Sequence, residues 1–142
     1  MSILKPNMPV ALCCDHAGFD TKQAVIEYFK QEGIEYKDFG TYNTDSCDYP
    51  DFAHPMAEAL ETGEFSLAVG ICGSGEGMAM TLNKHAKVRA SLCWLPEIAR
   101  LTRQHNDSNV LVLPARFFRI CGTGFWKKMN IPMIMTMAPP QI

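Results

Sequence analysis

A doubly wound α/β fold is predicted by three features of this 142-residue sequence: five short apolar runs, the segments of helical period between them, and the glycines and polar residues that close each run. Val10-Ala11-Leu12-Cys13-Cys14 is the first run; Phe19, Ile26 and Phe29 then share one helical face until Gly33 stops it. A more polar strand is expected from Glu35 to Phe39, followed by a turn-rich loop from Gly40 to Pro50. Ala53, Met56, Ala57 and Leu60 repeat at the spacing of a second amphipathic helix. Leu67-Ala68-Val69-Gly70-Ile71 reads as a third strand, and Met78, Leu82 and Ala86 place a helix over residues 75 to 86. Val88 to Cys93 is the fourth strand, Pro96 opens a helix carrying Ile98 and Leu101, and Asn109 to Leu113 is the fifth strand. Strands alternating with helices give a parallel sheet covered on both faces through right-handed crossovers.

Size and composition narrow the function. A chain of this length forms one domain over 1–142 and buries about two-thirds of its unfolded surface without covalent staples. Its core is expected over 8–116. Six cysteines are scattered, two of them inside apolar runs, and no secretory pattern opens the sequence, so reduced thiols in a cytoplasmic protein are expected. No C-x-x-C pair occurs, and the four histidines show no ligand spacing with cysteine, which argues against a metal site. A net charge of −2 with mixed signs gives no footprint for nucleic acid or a membrane surface. No apolar run approaches the roughly 20 residues of a membrane-spanning helix.

Chemistry concentrates at the strand ends, because ligands of doubly wound sheets bind beyond the carboxyl ends of the strands. Ile71-Cys72-Gly73-Ser74-Gly75-Glu76-Gly77 sets a lone thiol in a strand-to-helix turn and follows it with three alternating glycines. Such a turn lets backbone N–H groups converge on a ligand, and the helix start is expected to lower the thiol pKa from its free value near 8.5. Cys72 is thus either a small packed thiol or a nucleophile or base. Asp15 and His16 follow strand one and Arg116 follows strand five; the first two are ligand contacts ahead of the alternative of helix caps, and Arg116 is a phosphate contact or a surface ion-pair partner. His105-Asn106-Asp107 ends the fourth helix, so it falls at the opposite edge of its own subunit and reaches a site only through a partner chain.

Taken together, Cys14-Asp15-His16-Ala17-Gly18-Phe19, Asp48-Tyr49-Pro50, Ile71-Cys72-Gly73-Ser74-Gly75, Asn83-Lys84 and Arg103-Gln104-His105-Asn106-Asp107-Ser108-Asn109-Val110 resemble the type B ribose-5-phosphate isomerases, over about residues 9 to 116. That family includes galactose-6-phosphate and allose-6-phosphate isomerases. The resemblance implies a three-layer, Rossmann-like αβα fold and a homodimer or homotetramer whose active sites are shared between subunits. It implies no metal or organic cofactor, a small-molecule sugar phosphate as substrate, and a 1,2 proton shift through a cis-enediolate in the pentose phosphate pathway. Cys72 stands where the family's base stands, and Ser74, Gly73, Gly75 and Gly77 where backbone N–H groups hold the enediolate oxygen. His105 matches the residue that opens the sugar ring and Asn106 its helper; Asp15 matches a sugar-hydroxyl acceptor, Tyr49 lines the pocket, and His16 and Arg116 match phosphate contacts.

The C-terminal segment 117–142 departs from that pattern. Relatives of this type continue into a long helix and a basic arm that adds arginine to the phosphate site, whereas here no arginine follows Arg119 and no charge follows Lys128. This atypical, methionine-rich tail is expected to weaken oligomer contacts or phosphate affinity. Rival readings are a six-carbon sugar phosphate as substrate, and a sugar-phosphate-binding homologue without turnover. A thiol redox sensor would need a resolving cysteine near Cys72, and none is near in sequence.

Overall fold

The computed structural model describes residues 8–117. Its elements are β1 (Val10–Cys14), α1 (Phe19–Glu32), β2 (Tyr36–Asp38), α2 (Pro50–Glu61), β3 (Ala68–Cys72), α3 (Glu76–Leu82), β4 (Ala90–Leu92), α4 (Pro96–Asn106) and β5 (Val110–Pro114), with a 3-10 turn at His16–Gly18 leading into α1. All pairings are parallel and the strand order is β2-β1-β3-β5-β4. The expected α/β architecture is therefore present.

Period-two alternation along the strands sorts the core into two layers. Val10, Leu12 and Cys14 with Val69 and Ile71 pack beneath Val25, Phe29 and Ala99 of α1 and α4. Ala11, Cys13, Ala68 and Cys72 turn the other way, toward Met56, Leu60, Met78 and Leu82 of α2 and α3. Each fully buried large apolar side chain contributes about 1.5–3 kcal/mol. On the second face Gly70 is required by packing: a Cβ there would lie 2.9 Å from Met78 Cγ, so the glycine lets α3 lie close on β3.

The order of strands fixes where a crevice opens. From β1 the chain crosses over α1 to β2 on one side, whereas from β3 it crosses over α3 to β4 on the other, with the two helices on opposite faces. The direction of winding thus reverses between β1 and β3, and the crevice opens beyond their carboxyl ends. There Cys14 pairs with Ile71, and Cys72 with Pro114 of β5.

Several boundaries differ from expectation. The third helix ends at Leu82, not at 86: the Asn83 amide pairs with both backbone groups of Ala90, and Glu61 accepts the Ala86 N–H and holds His85, so residues 83–87 turn instead of continuing. Ala86 is consequently exposed. The fourth strand shrinks to 90–92 because it forms the sheet edge and pairs only with β5. Leu101 of α4 is exposed. Residues 118–142, including Cys121 and most of the atypical tail, lie outside the described residues. Among those described, no helix is long and apolar enough to cross a membrane.

Candidate active site

Cys72 is the last residue of β3, and strand alternation turns its side chain toward the start of α3. It is 4% exposed. Gly75 precedes α3 with φ +78°, a conformation that suits glycine, and α3 has no side-chain cap. Its turn instead aims the backbone N–H groups of Met78, Gly75 and Ser74 at the Cys72 sulfur. These donors favour the thiolate, yet burial outweighs them and the Asp15 carboxylate pushes the same way as burial, so the thiol pKa is raised. The expected lowering is thereby overturned within the single chain. Desolvation of a thiol enclosed by Met78 and the sheet exceeds what a seven-residue helix start returns.

Glycine in this loop serves as a seat for side chains as well as a hinge. A Cβ at Gly77 would fall 2.5 Å from the Tyr49 ring, and one at Gly73 would fall 3.2 Å from Arg116 Cδ and Nε. Tyr49 and Arg116 thus lie directly on the thiol loop. The Arg116 N–H donates to Gly73 O, and that of Ala115 to Cys72 O, which extends the β3–β5 pairing into the crevice. Gly73 and Gly75 are buried, Gly77 is half-buried, and Ser74 is exposed with its Oγ accepting from the Glu76 N–H at 3.3 Å.

The β1–α1 turn forms the other wall. Asp15 is buried and Oδ1 accepts the Gly18 N–H at 3.0 Å, so it does cap the 3-10 turn, while a carboxylate keeps further acceptor sites. Gly18 has no room for a side chain, since a Cβ would meet Ile71 Cγ2 and its carbonyl oxygen at 2.8 Å. Half-buried His16 places Nδ1 3.2 Å from both backbone groups of Cys47. The structure therefore brings Asp15, His16, Tyr49, Cys72 to Gly77 and Arg116 to one crevice.

His105 and Asn106 stand elsewhere. They are exposed at the end of α4, level with the amino end of β5, whose Val110 pairs with Ala68. Four residue rises at about 3.3 Å each, roughly 13 Å, separate that level from Cys72. The rest of their sequence block is framework. Arg103, 1% exposed, donates to Ser108 O at 2.8 Å and pairs with Asp107 at 2.7 Å; Asp107 takes φ +50° to close the helix. Ser108 Oγ donates to Arg89 O, and the Asn109 amide bonds the Arg89 N–H and Lys87 O.

Sequence reading missed two arrangements. Cys47, which carried no chemical signal, lies against His16, and Lys22, hidden in a helical run, is fully buried beside Asp38 and Thr41. The remaining thiols fit the core: burial pushes Cys14 up to about 12 and Cys93 to about 11, and holds Cys13 well above its ordinary value. His54 and His85 hydrogen-bond to each other at 2.8 Å, and His85 to Glu61. Among the described residues no group of three His, Cys, Asp or Glu side chains is placed to hold a metal ion.

A buried thiol ringed by backbone N–H groups at the switch crevice, flanked by a carboxylate, an imidazole, a phenol and a guanidinium, defines a small-molecule site in a doubly wound α/β protein. The chain belongs to the Ribose/Galactose Isomerase family, whose pattern matches residues 10–126. It is 40% identical over 107 residues, 75% of this chain and 72% of the relative, to ribose-5-phosphate isomerase B of Escherichia coli K12. Its fold is similar to that of a ribose 5-phosphate isomerase of Thermotoga maritima, with TM-score 0.84 and 35% identity over 92% of this chain and 88% of that one. A Mycoplasma genitalium ribose-5-phosphate isomerase B solved with bound ribulose-5-phosphate aligns with TM-score 0.79 and 30% identity, over 92% and 84% of the two chains.

Proposed function

We propose that this chain is an aldose–ketose isomerase that interconverts ribose 5-phosphate and ribulose 5-phosphate, with Cys72 as the base. The observation that carries this reading is the Cys72 sulfur at the carboxyl end of β3, faced by three backbone N–H groups in the switch crevice. In the open-chain aldose the thiolate takes the proton from C2, and the electron pair moves to give a cis-enediolate with its negative charge on O1. The O2 hydroxyl proton then passes to O1, the Cys72 thiol returns its proton to C1, and O2 becomes the ketose carbonyl. Proton transfer by a positioned group of this kind contributes about a hundred- to ten-thousandfold. N–H donors of the glycine loop stabilise the oxyanion, each worth roughly 3 kcal/mol when well aimed.

The other residues take roles their placement suits. When His16 Nδ1 accepts the Cys47 N–H, Nε2 carries the hydrogen that a phosphate oxygen needs. Arg116, lying across Gly73, supplies a guanidinium to the same anion. Asp15 accepts from a sugar hydroxyl and Tyr49 lines the pocket. Ring opening falls to His105 with Asn106 of a second subunit in a homodimer or homotetramer, because within one chain these two stand at the far end of the sheet. The relatives named above are ribose-5-phosphate isomerases, which favours the five-carbon sugar over galactose 6-phosphate and allose 6-phosphate.

Conversion of ribose 5-phosphate by the purified chain, beside its Cys72→Ser variant and without added metal, tests the reading. The rate is expected to fall about a thousandfold in the variant while its melting temperature stays within a few degrees. A folded wild-type chain that binds sugar phosphate without turning it over would make it a binding protein. Variant activity above a tenth of wild type would remove Cys72 as the base.

A further inference from the structure

Lys22 is the most buried cation in the described residues, at 0% side-chain exposure. A lysine on a helix ordinarily runs its stem along the surface and leaves its ammonium in water, and burying that charge costs several kcal/mol unless partners replace the water. Here they do. Nζ donates to Asp38 Oδ1 at 2.6 Å and to Thr41 O, and the rings of Phe19 and Tyr42 lie 5.9 and 5.3 Å away. The same Asp38 Oδ1 accepts the Gly40 N–H at 2.8 Å, and the Tyr42 hydroxyl donates to Asp38 O at 3.0 Å. One ammonium therefore gathers the whole turn from Asp38 to Tyr42.

That turn begins the chain segment that closes one side of the crevice. Gly40 O accepts from Cys14 N, and Thr41 N donates to Cys14 O, so the turn is also stitched to the last residue of β1, just before Asp15 and His16. Gly40, with φ +98°, has the Phe52 ring 2.8 Å from where a Cβ would stand, which fixes the turn against α2. From there the segment runs to Cys47, whose backbone holds His16, and to Tyr49, whose ring lies on Gly77. Lys22 itself rises from the first turn of α1, six residues after His16, so it links the start of α1 to the segment 40–49.

We propose that Lys22 is a positioning residue for substrate binding: it fixes the Asp38–Tyr42 turn and thereby seats the segment that holds His16 and Tyr49 at the crevice. It touches neither the thiol loop nor, on the isomerase reading on which this rests, the reacting carbons, so its loss acts on substrate affinity more than on the chemical step. The test compares Lys22→Met with Val25→Ala, a truncation in the core between α1 and the sheet that removes no hydrogen bond to the segment. Asp38 retains contact with water, so the methionine variant is expected to fold.

Lys22→Met is expected to raise KM for ribose 5-phosphate about tenfold with kcat within about threefold, while Val25→Ala leaves both near wild type at a comparable loss of melting temperature. A second readout needs no activity: alkylation of half-buried Cys47, followed by peptide mass, is expected to quicken about tenfold in the folded Lys22→Met variant and not in Val25→Ala. Unchanged Cys47 alkylation, or equal KM changes in the two variants, overturns the role of Lys22. Absence of turnover in wild type sinks only the isomerase reading, and the Cys47 rates still decide on Lys22.

Discussion

The two ends of the parallel sheet treat polar side chains in opposite ways. At the amino end Arg103, Ser108 and Asn109 are buried and spend their donors and acceptors on backbone and on Asp107, which leaves His105 and Asn106 as the exposed members of their block. At the carboxyl end Gly75 gives α3 no side-chain cap, and the N–H groups of Met78, Gly75 and Ser74 point at Cys72. One end is a frame that presents two groups outward; the other is a crevice with donors directed at a reactive atom. A sequence block so specific in order can thus be mostly scaffold, and the groups proposed for catalysis are those the scaffold leaves over.

If the two ends complete each other between subunits, Cys72→Ser and His105→Ala are each inactive alone, yet mixed after co-refolding they regain activity. Random pairing of a dimer restores about a quarter of the wild-type rate, since half of the dimers carry one intact site out of two. No recovery would break the complementarity and confine the site to one chain.

The framing role of the amino end is sharpened by Arg103→Ala. Removing a buried guanidinium that holds Asp107 and the Ser108 carbonyl is expected to cost about 3 kcal/mol of stability in urea denaturation. A loss below about 1 kcal/mol would make the block's framework incidental and return Arg103 to the list of presented groups.

At the carboxyl end pH supplies the probe. Only the thiolate is a base, and burial holds the Cys72 pKa above its ordinary value, so protonation withholds the active form below that raised pKa and releases it above. The expected kcat/KM climbs by up to tenfold per pH unit and is still climbing past about pH 8.5, with Cys72→Ser losing that limb. A plateau reached below about pH 8 would show the thiol lowered by groups that a single chain does not bring to it.

Much of this was legible in residues 10 to 114. Period-two runs and helical repeats fix which residues face inward, so β1, β3, β5 and the first two helices fall near their expected places. The end of α3 was not legible, because Asn83 and Glu61 stop it through partners several to twenty-five residues away, at Ala90 and Ala86. The site divides the same way. Cys72, its glycines and the strand-end positions of Asp15 and His16 follow from sequence order, since a strand-to-helix turn is a local event.

The sequence by itself determined a doubly wound fold, a thiol in a glycine turn, and a histidine that its own strand-end crevice does not reach. Tertiary structure alone decided the strand order that sets the reversal between β1 and β3, the seating of Tyr49 and Arg116 on glycines, and the Lys22 knot. It also decided the direction of the Cys72 pKa. Periodicity and turn chemistry act over a few residues and are written in the chain, whereas burial, desolvation and charge depend on what packs from far along it.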